Sequence, residues 1–153
     1  MNLVEPILFQ AKLNPMALAI CVPGSKLQSV SYGQLVRFIH NTARMALKSG
    51  IAPGSVVATY ISDTILHMSL SLGLMHVGVT TLSLRSPKPV AEIAPDVILT
   101  DAPGKITSGG TVLNIDYSWL ESGGPTAEPA PSYGDDGGIC RIVLTSGSTG
   151  EAK

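Results

Sequence analysis

The sequence predicts an α/β fold, a layered and mostly parallel sheet with flanking helices, on three observations. Short apolar runs of strand length alternate with longer segments of helical period, residues that start and stop helices bracket those segments, and the connections are short. A long Gly, Pro, Ser and Asp-rich stretch occurs only late, from Ser122 to Gly138.

The elements follow in chain order. Leu18 to Val22 and Leu27 to Ser31 flank Pro23-Gly24-Ser25, whose proline and glycine supply turn dihedrals, so the pair reads as a hairpin. Ser31 with Gln34 three residues on makes a capping-box pattern. Leu35, Phe38, Ile39, Thr42, Ala43, Ala46 and Leu47 then recur at helical spacing, which predicts a buried helix face over residues 31–49 with Gly50 as its stop. Val56 to Ile61 reads as a short strand. Ser62-Asp63 caps a second helix from about Thr64 to His76, and Gly78 releases the chain into a strand from Val79 to Leu82. That order is a βαβ unit, which places ligands at the carboxyl ends of its strands. Ser86-Pro87 predicts a short helical stretch ended by Pro95, and Val97–Thr100 and Thr111–Ile115 two further buried, parallel strands. Ser122 to Gly138 reads as a surface connection before a last, central strand, Ile139–Leu144. No internal repeat is evident.

Composition bounds the function classes. A chain of 153 residues buries about 68–70% of its unfolded surface, enough for one modest core. With 10 basic and 11 acidic side chains there is no electrostatic footprint for nucleic acid or an anionic membrane. Cys21 and Cys140 are too few and too far apart for a disulfide framework or a metal knuckle, which points to a reducing compartment and so to the cytoplasm. No run approaches the roughly 18–20 apolar residues of a membrane span, and no basic-then-apolar leader opens the chain.

The chemistry concentrates at the end. Ile142-Val143-Leu144 runs into Thr145-Ser146-Gly147-Ser148-Thr149-Gly150-Glu151-Ala152-Lys153. A strand feeding a loop of hydroxyls, glycines and one lysine is a phosphate cradle: the glycines let the main chain approach a ligand, the loop N–H groups are donors for an anion, and Lys153 supplies the compensating charge. Each hydrogen bond to a phosphate oxygen is worth roughly 1.5–3 kcal/mol. The spacing excludes two familiar cradles. A Walker loop needs Gly-Lys adjacent, whereas two residues separate Gly150 from Lys153, and a dinucleotide fingerprint needs a third glycine. A bland linker or tail is the competing reading of such a Ser/Gly/Thr segment.

The segment resembles the Thr-Ser-Gly-Ser/Thr-Thr-Gly-x-Pro-Lys signature of the adenylate-forming superfamily, which contains acyl-CoA synthetases, peptide-synthetase adenylation domains and firefly-type luciferases. Ala152 where that family has proline is the single departure, which removes some rigidity but no phosphate contact. Val30-Ser31-Tyr32-Gly33-Gln34-Leu35 resembles the family's Leu-Thr-Tyr-x-Glu-Leu element, and Leu70 to Leu84, containing Gly78, its Lys-Ala-Gly-x-x-x-Val-Pro-Leu region. The order and distances of these matches extend the likeness over most of the chain, and it is most like the N-terminal part of an acyl-CoA synthetase.

The resemblance implies the following. The parent enzyme joins a carboxylic acid and ATP into an acyl-adenylate and pyrophosphate, then passes the acyl group to coenzyme A or a carrier thiol. Thr145, Ser146, Gly147, Ser148, Thr149, Gly150 and Lys153 hold the β and γ phosphates of ATP, with Thr145 near Mg²⁺. Residues 1–153 form a single, partial α/β domain that ends at this loop. The adenine site, acyl pocket and mobile C-terminal domain of the family follow the loop, so the chain alone is expected to be inactive and to need the remainder of the adenylation domain. Three alternatives stay open: part of a peptide-synthetase adenylation domain, a non-catalytic nucleotide- or phosphate-binding module, and an interaction domain.

Other reactive residues read as structural. His40, His67 and His76 lie in helices without metal-ligand spacing. Asp63 reads as a cap and Asp135-Asp136 as turn carboxylates. Tyr117-Ser118-Trp119-Leu120 reads as an apolar cover for the sheet, and Cys140 as a buried strand residue with a dulled thiol. No catalytic dyad emerges.

Overall fold

The computed structural model describes residues 3–87, 93–107, 110–121, 128–132 and 138–144. Helix α1 (Glu5–Leu13) leads into a two-stranded antiparallel hairpin, β1 (Leu18–Cys21) and β2 (Ser29–Ser31). Then follow α2 (Tyr32–Lys48), β3 (Val56–Tyr60), α3 (Thr64–His76), β4 (Thr80–Ser83), β5 (Val97–Thr100), a 3₁₀ turn (Pro103–Lys105), β6 (Thr111–Asn114), the one-turn α4 (Ser118–Glu121) and β7 (Arg141–Ile142). Among the described residues five strands form one sheet in the order β6-β5-β3-β4-β7, and every neighbouring pair is parallel. The expected α/β class and parallel sheet are therefore present.

The helix ends are built as the sequence predicts. The Ser31 hydroxyl accepts the Gln34 N–H at 3.3 Å while the Gln34 side chain accepts the Ser31 N–H at 2.9 Å, so two orphan donors of α2 are satisfied reciprocally. At the other end Gly50 takes φ +82°, its N–H reaches Leu47 O at 3.1 Å, and the Ile51 N–H reaches Ala46 O at 3.0 Å. These two bonds close the helix and turn Ile51 into the core, a path that requires the left-handed dihedral of a glycine. Asp63 caps α3, accepting from Leu66 N–H at 2.9 Å.

Packing divides between the two faces of the sheet. Val57 and Leu99 turn toward α2 and α3 and join the main core, which includes Leu35, Ile39, Leu66, Leu70 and Leu74. Ala58, Leu82 and Ile98 form a smaller cluster on the opposite face, with Ile106, Ile142 and Leu144 against it. The alternation follows from the register, since Ala58 lies opposite both Leu82 and Ile98. Helix α3 is apolar nearly all round because it is enclosed between the sheet and α2; α2, at the margin, carries one apolar stripe.

Several expectations are corrected. Leu47 is 42% exposed although its neighbour Ala46 in the same last turn is fully buried, so the stripe reaches the core through Ala46 and not Leu47, whereas His40 and Asn41 are buried beside that stripe. Helix α1 was not among the predicted elements. It buries none of its own residues, so it lacks the apolar period that marks the others. Of the helical stretch expected after Ser86-Pro87, residues 88–92 lie outside the described residues, and those flanking them, 85–87 and 93–95, are non-helical. Trp119 and Leu120 are buried as expected, but α4 packs chiefly on α2, where the Asn41 amide donates to Leu120 O at 2.5 Å.

Candidate functional site

Because all five strands run the same way, their carboxyl ends share one edge, and three described features meet there. The first is the junction of β3 with α3. Ser62 donates both its N–H (2.9 Å) and its hydroxyl (2.5 Å) to Asp101 Oδ2, tying the exit of β3 to the exit of β5. Asp63 accepts Ser25 Oγ–H at 2.6 Å and Tyr117 Oη–H at 2.7 Å in addition to its capping bond, and Lys26 Nζ lies 4.5 Å from the Tyr117 ring centroid. Burial on its own raises the Asp63 pKa, but the Leu66 N–H and the two hydroxyls outweigh it and hold the carboxyl below its ordinary value. A shallow cleft of about 370 Å³ separates the hairpin turn at Pro23-Gly24 from Ser62-Asp63.

The second feature is a line of side chains across β3, β4 and β7. Thr59 and Ser83 are register partners, so their hydroxyls share a face, and His67 in the first turn of α3 places Nε2 3.2 Å from Thr59 Oγ1 and 3.0 Å from Ser83 Oγ. Arg141 lies level with Thr81, yet its guanidinium extends along the strand to donate to Ser83 Oγ at 3.1 Å. Burial and then the Arg141 charge push the His67 pKa down, so the ring is kept neutral. The sequence reading missed this cluster. Its signal was present in the alternation, which puts the hydroxyls of Thr59 and Ser83 in step near the ends of neighbouring strands.

The third is β7 itself, the strand that leads toward the Thr145–Lys153 segment. It pairs with β4 through Thr81↔Arg141 and Leu82↔Ile142. Thr145, Ser146, Gly147, Ser148, Thr149, Gly150 and Lys153, and likewise Asp135-Asp136, lie outside the described residues. The approach to them differs from expectation in two ways. The strand is shorter than Ile139–Leu144 and, among the described residues, occupies the edge of the sheet and not its centre. Its flanks are accordingly open: Ile139 is 70% and Val143 68% exposed, and Cys140 is exposed, so the expected burial of that thiol is overturned. Among the described residues no three His, Cys, Asp or Glu side chains are grouped to hold a metal ion, and no helix is long and apolar enough to cross a membrane.

No protein-family model matches the chain. It is similar to the hybrid PKS-NRPS synthetase LUC5 of Fusarium sp, with 26% identity over 148 residues, and to bacitracin synthase 1 of Bacillus licheniformis, with 31% over 134 residues. The likeness covers 88% and 82% of this chain but only 4% and 2% of those relatives. Among solved structures, the N-terminal subdomain of Klebsiella oxytoca NpsA superposes with a TM-score of 0.81 at 19% identity, over 99% of this chain and 40% of that one. The same subdomain has been solved in complex with 3-hydroxybenzoyl-AMSN, again matching 99% of this chain. VinN gives 0.81 at 15% identity, over 99% of this chain and 42% of that one, and Mycobacterium tuberculosis fatty acyl CoA synthetase 0.74 at 19%, over 95% and 32%. The chain thus has the fold of the N-terminal subdomain of adenylate-forming enzymes, and in sequence it is similar to parts of a hybrid PKS-NRPS synthetase and a bacitracin synthase.

Proposed function

We propose, from a fold and a sequence that both resemble adenylate-forming enzymes, that this chain is the N-terminal part of an ATP-dependent acid-thiol ligase and carries its triphosphate-binding loop. The observation that supports the reading most is the direction of β7. It is parallel to β4, so the chain leaves it at the same edge where β3 and β5 end, and the motif Thr145–Lys153 starts three residues later. In parallel sheets that edge is where ligands bind.

In this reading MgATP is a substrate. Backbone N–H groups of Gly147 and Gly150, the hydroxyls of Ser146, Ser148 and Thr149, and Lys153 would hold its β and γ phosphates, and Thr145 would supply a hydroxyl to Mg²⁺. The loop acts electrostatically. A carboxylate oxygen of the acid attacks the α-phosphorus, the bond to the β-phosphate oxygen breaks, and pyrophosphate leaves with the charge that the loop neutralises. A thiolate then attacks the acyl carbon and AMP departs. Groups that position acid and adenine are supplied by the remainder of the domain, so residues 1–153 on their own do not catalyse the reaction. Two free, exposed cysteines fit a reducing compartment such as the cytoplasm.

The acceptor is read first as coenzyme A. A carrier-protein thiol is the second reading, and the two curated relatives favour it, since one is a hybrid PKS-NRPS synthetase and the other a bacitracin synthase.

The test is acid-dependent exchange of radiolabelled pyrophosphate into ATP. It is run on the 153-residue chain and on the whole protein encoded by the reading frame that contains it. The expected result is exchange by the whole protein, strongly reduced by Lys153→Ala, and none by the chain alone. A whole protein that exchanges no label across a broad panel of acids overturns the reading. Thioester formation with coenzyme A or with a phosphopantetheinylated carrier then separates the two acceptors.

A further inference from the structure

Away from the carboxyl edge, α2 carries a second concentration of polar groups. Arg37, His40, Asn41 and Arg44 recur at intervals of three and four residues, so they line one side of the helix, and they form one wall of a cleft of about 430 Å³. Leu120 and Phe38, both buried, supply its apolar backing, and Glu121 and Glu128 stand opposite. A volume of this size is within the range of small-molecule pockets.

The wall is assembled and not merely adjacent. Asn41 is only 7% exposed; its amide donates to Leu120 O, and its carbonyl accepts from Arg44 Nη2, while Arg44 Nε donates to His40 O at 3.4 Å. Two of the Arg44 guanidinium nitrogens are thereby tied to residues of the helix that carries them. His40, 9% exposed, points Nδ1 toward Glu128 Oε1 at 3.7 Å. The Glu128 side chain is 81% exposed, so a carboxylate from solvent level has entered the mouth of the cleft with little of its own stem buried.

We propose that this cleft is a binding site for a small organic acid with an apolar body. Its carboxylate replaces that of Glu128 beside His40, in the cleft that Arg37 and Arg44 also line, and its hydrocarbon part lies against Phe38 and Leu120. A guanidinium fork matches a carboxylate, and the apolar backing selects against anions with no hydrophobic portion. The proposal is independent of any role for the loop at Thr145, because the cleft is built from α2, α4 and residue 128 and shares no residue with the carboxyl edge.

The test is NMR titration of the ¹⁵N,¹³C-labelled chain with sodium benzoate, and separately with inorganic phosphate. Benzoate is expected to shift the Asn41 side-chain amide and the His40 ring signals saturably, and phosphate to shift neither at matched concentration and ionic strength. Because Glu128 competes for the same position, Glu128→Gln should tighten benzoate binding about threefold or more, in keeping with the size of an exposed ion pair. Arg37→Ala, at an exposed position, should weaken it by a similar factor. No saturable shift in either the wild type or Glu128→Gln overturns the proposal. So does phosphate binding as tightly as benzoate, or a benzoate affinity that is indifferent to both substitutions.

Discussion

Gly73 of α3 lies against Thr42 of α2 so closely that a Cβ added to the glycine would stand 2.6 Å from the threonine Cβ and 2.8 Å from Ile39 O. The two helices therefore pack with side chain directly on backbone. A methyl group at residue 73 has nowhere to go unless one helix moves, and both are pinned, α3 by the sheet and α2 by its capping box and the Gly50 turn.

Gly73→Ala is accordingly expected to destabilise the chain by about 1–3 kcal/mol, the usual cost of overpacking, despite the gain in helix propensity. Urea unfolding followed by circular dichroism measures it. Unchanged stability would mean that α2 and α3 are free to separate.

The second prediction concerns acid sensitivity near neutrality. Burial lowers the pKa of His67, with Arg141 adding to it, and burial lowers that of His40, with His76 and Arg44 adding and Glu128 opposing. The unfolded chain, with histidines near their ordinary pKa of about 6.5, then binds more protons than the folded one, so stability is full above that value and falls as pH drops through it toward the folded pKa. The urea midpoint should decrease between about pH 7 and pH 5, and His67→Gln should flatten the decline. A midpoint that rises on acidification contradicts the burial of these rings.

Asp63 gives the third. Its lowered pKa means that its stabilising bonds are present above the ordinary carboxylate value and are lost as pH falls through the folded one. Asp63→Ala should cost about 1–2 kcal/mol at neutral pH, as for other lost caps. The gap between wild type and variant should narrow below about pH 4. A pH-independent gap would show that the hydroxyls of Ser25 and Tyr117 hold the residue without regard to charge.

Much of this fold was legible because local and tertiary demands coincide. Ser31 and Gln34 form a capping box in any context, and the end of α2 follows from Gly50. What the sequence hid was hidden for physical reasons. Helix α1 buries none of its residues and so leaves no period. Cys140 read as interior because apolar strands usually are, but strand position in a sheet is set by which neighbour arrives, and among the described residues β7 pairs only with β4. The line from Thr59 through His67 to Arg141 joins residues distant in the chain, which no short motif records. The loop motif read as a phosphate cradle from its glycines, hydroxyls and lysine and as a family signature by resemblance, and it lies outside the described residues.

The fourth prediction tests that loop in the isolated chain. Ordering each loop residue costs about 1–2 kcal/mol, which offsets much of each phosphate contact when no downstream strand fixes the geometry. Pyrophosphate should bind the 153-residue chain no tighter than about 1 mM by titration calorimetry. Micromolar binding abolished by Lys153→Ala and Thr149→Ala would instead identify a preformed site and favour the self-sufficient phosphate-binding module.

The position of β7 has a consequence for how the chain folds. Val56 of β3 finds Thr80 of β4 across one helix, whereas Thr81 must wait for Arg141, a loop about two and a half times longer whose closure costs about 0.8 kcal/mol more. Little is gained in return: the Thr81 N–H bond to Cys140 O at 3.1 Å and the Thr80 hydroxyl bond to Ile139 O at 2.6 Å are among the few that hold the strand's entrance. β3, β4 and β5 are therefore expected to associate early, and β7 to dock last and detach first. The strand nearest the proposed chemistry is then the part of the sheet with the shortest lifetime, and its amides are the ones hydrogen exchange should find unprotected soonest.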